Sequence, residues 1–189
     1  MKAITQTQLK KSFYKKWLIA NFAGWFIGVI STFVLSYFVV NLFYPKETNV
    51  ILGFCIGAGV GYAQWLVLRR SFGIKARWGH VSSIVLGLPI AIASLLNDHD
   101  LSPEMPDSGN QAIGFILFGL ICGAIIGFLQ KSCLKAHFPK RKYWPIYSAL
   151  AWGLTFSTLA LPMPFSSLAV IVGGLILGPI TALAFRRML

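Results

Sequence analysis

Apolar residues dominate six stretches of the chain, at about 17–41, 50–69, 78–96, 111–134, 144–161 and 167–185. A helix needs about 20 mostly apolar residues to cross about 30 Å of hydrocarbon, and these stretches reach or approach that length. The intervening segments carry turn or charge signals. They are Tyr44-Pro45-Lys46-Glu47, the basic stretch Arg69 to Arg77, the polar loop Asn97 to Asn110, the basic stretch Lys135 to Lys142, and Leu161-Pro162-Met163-Pro164. The pattern predicts an all-α integral membrane protein with six transmembrane helices in a single domain, residues 1–189.

Charge orients the spans. Sixteen of the seventeen Lys and Arg residues fall before span 1, after spans 2 and 4, or after span 6. All five acids, Glu47, Asp98, Asp100, Glu104 and Asp107, fall on the other side. Positive residues stay inside, so both termini are expected in the cytoplasm. Residues 1–16 form a basic N-terminal segment, and the span after it is too long for the ~7–15-residue core of a signal peptide. It is read as an uncleaved first span.

The apolar pattern also repeats. GAGVGYAQWLVLRRSFGIKARW, from Gly57, aligns without a gap on GAIIGFLQKSCLKAHFPKRKYW, from Gly123, at an offset of 66 residues. A third copy, GLILGPITALAFRR, starts at Gly174. Entry helices match too. Trp17, Trp78 and Trp144 open the odd spans, followed four residues later by Asn21, Ser82 and Ser148. The expected unit is a helical hairpin, repeated at about 17–70, 78–135 and 144–187. Three parallel hairpins predict a pseudo-threefold axis along the membrane normal.

Each returning helix carries a glycine face: Gly53, Gly57 and Gly61; Gly119, Gly123 and Gly127; Gly174 and Gly178. Glycines four apart share one side and let helix backbones approach. Gln64, Gln130 and Thr181 continue those faces, roughly 7–8 Å inside the helix ends at 1.5 Å per residue. Asn21, Ser82 and Ser148 lie at similar depth on the entry helices, so six polar side chains are expected to form a girdle below the cytoplasmic surface. Two readings follow: hydrogen-bonded glue between helices, or a cytoplasm-facing polar cavity for a small polar ligand or lipid headgroup. At the helix ends, Arg69, Arg70, Lys135, Arg186 and Arg187, with Trp17, Trp78 and Trp144 beside them, suit anionic lipid headgroups.

Composition narrows the function. Hydrophobic residues make up 56% and charged residues 12%, against about 25% charged in soluble domains. The net charge of +12 therefore reads as membrane orientation rather than nucleic-acid binding. No acidic or basic residue lies deep in a span, which disfavours ion-coupled transport and acid–base or nucleophilic catalysis. Cys55, Cys122 and Cys133 read as small apolar residues. His80 reads as a hydrogen-bonded residue near a span end, His137 as solvated, and His99 as part of a solvated outer loop. No cofactor, metal site or catalytic residue is expected.

The repeated Gly-x-x-x-Gly-x-x-Gln-Trp-x-x-Leu-Arg-Arg pattern with its following Trp resembles uncharacterised multi-pass membrane proteins of bacteria, of a cyanobacterial type. The second copy lacks the Trp, having Gln130-Lys131, and the third lacks the Gln. The resemblance implies a bacterial inner membrane. The first expectation is a non-catalytic scaffold or accessory subunit of a membrane complex, with lipid and other membrane proteins as partners. The alternative is a small channel, carrier or lipid-handling protein that uses the polar cavity.

Overall fold

The computed structural model describes residues 6–42, 48–96, 108–158 and 169–188. Six α-helices account for nearly all of them: α1 (Gln6–Leu42), α2 (Thr48–Phe72), α3 (Arg77–Leu96), α4 (Ser108–Lys131), α5 (Trp144–Ser157) and α6 (Ala169–Met188). No strand occurs among the described residues. Three segments are long and apolar enough to cross a membrane, Ser12–Phe38, Val50–Phe72 and Ile113–Lys131.

The helix ends differ from the apolar stretches by a few residues in most places, and three of the differences have structural content. α1 begins at Gln6, so most of the basic N-terminal segment is helical. α4 stops at Lys131 rather than at 134, because Cys133 and Leu134 bond back to Gln130 and Lys131 in tighter three-residue turns. α5 is a regular helix for only 14 residues, about 21 Å at 1.5 Å per residue. The acid-rich loop with His99, and the breaks at residues 43–47 and 159–168, lie outside the described residues.

Local chemistry explains several boundaries. Gly73 has φ +68°, which only glycine adopts without cost, and its N–H bonds to Arg69 O to close α2. Pro145 sits in the first turn of α5, where a missing N–H costs nothing. Pro89 and Pro179 lie inside α3 and α6, and both are exposed.

Each helix packs against its neighbours in chain order, and α6 returns to pack on α1, so the six form a closed ring. Its interior has two apolar layers. One holds Trp25, Val29, Ile56, Val60, Leu86, Ile126, Trp152 and Leu177. The other joins the starts of the odd helices to the ends of the even ones, through Phe13, Trp17, Leu68, Trp78, Leu134, Trp144 and Phe185. That second layer places the basic helix ends at one pole of the ring. The outer surface is apolar: Phe33, Ile84, Leu117, Phe128, Leu154 and Leu175 are all exposed.

The glycine faces hold the ring between one predicted hairpin and the next, not within a hairpin. Gly57 of α2 lies against α3, where an added Cβ would sit 2.5 Å from Ser82 O. Gly123 of α4 lies against α5 in the same way, with a Cβ 2.6 Å from Ser148 O. Gly174 and Gly178 of α6 face Asn21 and its neighbours on α1. The α1–α2 seam uses other glycines, Gly24, Gly28 and Gly59. Replacing Gly57 by Ala should therefore force α2 and α3 apart and destabilise the protein by ~1–3 kcal/mol. Gly114, with nothing within 4 Å of its added Cβ, is the control. There, Ala should be neutral or raise the melting temperature in detergent.

Candidate functional site

Between the two apolar layers lies a layer of polar side chains. Asn21, Gln64, Ser82, Gln130, Ser148 and Thr181 are all buried, at 0–4% exposure. Burying such groups without partners costs several kcal/mol each in an apolar surrounding, so their hydrogen bonds decide what the layer is.

Those bonds form one chain through all six helices. Trp17 Nε1 on α1 donates to Thr181 Oγ1 on α6, at 2.9 Å. Asn21 Nδ2 donates to Trp17 O at 2.8 Å, and Asn21 Oδ1 accepts from Gln64 Nε2 on α2, also at 2.8 Å. Gln64 Oε1 accepts from Trp78 Nε1 on α3 at 3.0 Å. Gln130 Nε2 on α4 donates to Ser82 Oγ at 3.0 Å and to Trp78 O at 3.3 Å. Gln130 Oε1 accepts from Trp144 Nε1 on α5 at 3.1 Å.

The two glutamines are used alike. Each bridges the helix before it and the helix after it, and each takes an indole N–H from a Trp 14 residues further along the chain. Thr181 is shorter and does less. Its oxygen takes the Trp17 indole, while its proton goes back to its own helix at Leu177 O, 2.6 Å away. Ser148 lies against Gly123 and Gly127 in the α4–α5 seam.

Trp17, Trp78 and Trp144 are the main correction to the sequence reading, which placed them beside lipid headgroups. Their exposures are 0%, 0% and 1%. The physical reason is the indole N–H: it has a carboxamide or hydroxyl oxygen inside the ring, and the rest of the side chain is apolar area to bury. Trp78 and Trp144 lie with centroids 5.2 Å apart, and Trp17 and Trp144 6.4 Å apart. The signal in the sequence that points to this is the repeated 14-residue gap from Gln to Trp.

The girdle is also covered toward the basic pole, against the expectation of a cavity open to that side. Leu68, Leu134 and Phe185 stand one helical turn beyond Gln64, Gln130 and Thr181, and all three are fully buried. Phe185 packs its ring 4.7 Å from Trp17 and 5.0 Å from Trp144. With Phe138 and Met188 they fill the space between the girdle and the pole.

The remaining candidates lie apart from the girdle. Arg69, Arg70, Lys135, Arg186 and Arg187 are exposed at the basic pole. Arg69 stands over the Trp65 ring and Arg187 over the Tyr147 ring, 5.3 and 5.9 Å from the centroids. His80 meets the Tyr62 hydroxyl at 2.7 Å through Nδ1. The three cysteines are unpaired. Among the described residues no group of His, Cys, Asp or Glu is placed to hold a metal.

No family model, no curated protein and no solved structure matches this chain.

The Trp donors should differ in energetic weight. Trp144→Phe strands the buried Gln130 oxygen, a loss of ~1–3 kcal/mol beyond the packing change. Trp17→Phe also takes a donor from an oxygen, but the Thr181 hydroxyl keeps a bond through its own proton to Leu177 O. Unfolding in detergent should rank Trp144→Phe as the more damaging change.

Proposed function

We propose that this protein is a six-span, non-catalytic scaffold or accessory subunit of a membrane complex, with the polar girdle as its internal lock. In this reading all six helices cross the bilayer as three hairpin copies about a pseudo-threefold axis. Support comes from the corresponding Trp-to-Gln bonds at α2–α3 and α4–α5, and from the Trp-to-Thr bond at α6–α1. The membrane is a bacterial inner membrane, with the basic pole and both termini on the cytoplasmic side. Arg69, Arg70, Lys135, Arg186 and Arg187 meet anionic headgroups there.

One observation carries the scaffold reading: the carboxamides of the girdle are taken up by neighbouring helices. A channel or carrier presents polar atoms to a solute, but here Gln64 and Gln130 each place both ends of the carboxamide on neighbouring helices. The outer face is instead apolar and extensive, which suits contact with lipid and with other membrane helices.

The test separates lock from site. Gln64→Leu and Gln130→Leu are made singly, and each is reconstituted into vesicles. Light scattering follows water and glycerol entry, and unfolding is measured in detergent. The lock reading expects each variant to lose ~1–3 kcal/mol of stability, with wild-type vesicles no more permeable than protein-free ones. Wild-type flux that either substitution abolishes, without loss of stability, would overturn it in favour of a channel or carrier.

A further inference from the structure

At the basic pole a cleft of about 330 Å³ opens between the residues that lead into α3 and those that leave α4. Lys75 and Arg77 line one wall, and Ser132, Cys133 and His137 line the other. Lys75, Arg77, Ser132 and His137 are exposed. The first wall is held in place by Gly73, whose left-handed backbone turns the chain, and by Trp65 Nε1, which donates to Ile74 O at 2.9 Å. The cleft therefore has a fixed floor rather than two free tails.

Among the described residues nothing of opposite charge meets its cations. No described residue is Asp or Glu. Arg69, Lys131, Lys142 and Arg187 each lie over an aromatic ring, whereas Lys75 and Arg77 face the cleft. Two cations on one wall, with a histidine opposite, call for an anion, while the Ser132 hydroxyl already donates to Leu129 O at 2.8 Å.

The helices beneath the cleft add a second feature. Of all neighbouring pairs round the ring, α3 and α4 make the least contact. They are joined near the basic pole by Gln130, through its bonds to Trp78 and Ser82. Elsewhere along these helices Leu88 and Ile92 of α3 and Ile125 of α4 stay open, at 48%, 48% and 44% exposure. A cationic cleft thus stands at the basic end of the α3–α4 seam, the least tightly packed in the ring.

We propose that this cleft and seam form a binding site for one anionic phospholipid. Its phosphate sits between Lys75 and Arg77 on one side and His137 on the other. Its acyl chains lie along α3 and α4. A free phosphate would satisfy the cleft but leave the seam bare. The site rests on the membrane reading above, which puts the basic pole at a headgroup layer.

Cys133 gives a readout inside the cleft. The protein is placed in nanodiscs of phosphatidylcholine, with and without phosphatidylglycerol, and Cys133 is labelled with a water-soluble maleimide. Each surface cation favours an anionic lipid by roughly fivefold, so the pair predicts about 30-fold preference for phosphatidylglycerol. Phosphatidylglycerol should slow labelling strongly in the wild type. Lys75→Gln with Arg77→Gln should remove that protection, while Arg186→Gln with Arg187→Gln should keep it. Equal labelling in both lipids overturns the site alone, as does equal loss of protection in the two double variants. Protection by inorganic phosphate in pure phosphatidylcholine also overturns it, since the ligand is then a free anion. A protein that does not enter nanodiscs at all removes this site and the membrane reading together.

Discussion

A glutamine carboxamide enclosed among apolar helices must place its oxygen and its amide protons on protein partners, because neither lipid nor a packed core will take them. In this ring the oxygens of Gln64 and Gln130 are met by indole N–H groups, and their amides reach the preceding helix. Much else follows from that requirement. Trp78 and Trp144 must come inside to supply the donors. α2 must then approach α3 closely, and α4 must approach α5, which glycine at positions 57 and 123 allows. The layer of polar bonds also fixes rotation and depth, because an apolar interface alone leaves both free to slide.

Closure of the ring is the weakest instance of the same device. Between α6 and α1 a threonine replaces glutamine, so the link is one indole bond to Thr181 rather than a two-sided bridge. The aromatic Phe185, where α2 and α4 have Leu68 and Leu134, adds ring contacts to Trp17 and Trp144 at that closure. Bulk and aromatic contact stand where hydrogen bonding is reduced. Individual hydrogen bonds between membrane helices average only ~0.6 kcal/mol, so one larger apolar side chain is of comparable weight.

Much of this interior is legible in the chain. Glycines spaced by four, and polar residues on the same face, show which side of α2 and α4 turns inward. Equal offsets in two copies place Gln64 and Gln130 at one level, with Asn21, Ser82 and Ser148 opposite. The fate of the tryptophans is not legible from their position, because a Trp at the start of a span suits both a membrane interface and a buried donor. Only the constant gap between Gln and the next Trp separates these. Partnership is likewise hidden. A glycine face announces a close neighbour but not which one, and here Gly57 meets α3 and Gly123 meets α5. The cleft beside Lys75, Arg77 and His137 arises from two loops 60 residues apart in sequence, which no local pattern joins.

The central claim is that indole and carboxamide act as one unit, and a double-mutant cycle on Trp78 and Gln64 tests it most directly. Trp78→Phe, Gln64→Leu and the pair are compared by reversible unfolding in lipid–detergent bicelles. A shared bond predicts that the pair costs less than the two single losses added together, with a coupling of ~0.6–1.7 kcal/mol. Strictly additive losses would mean that the two side chains contribute separately, and would contradict the account.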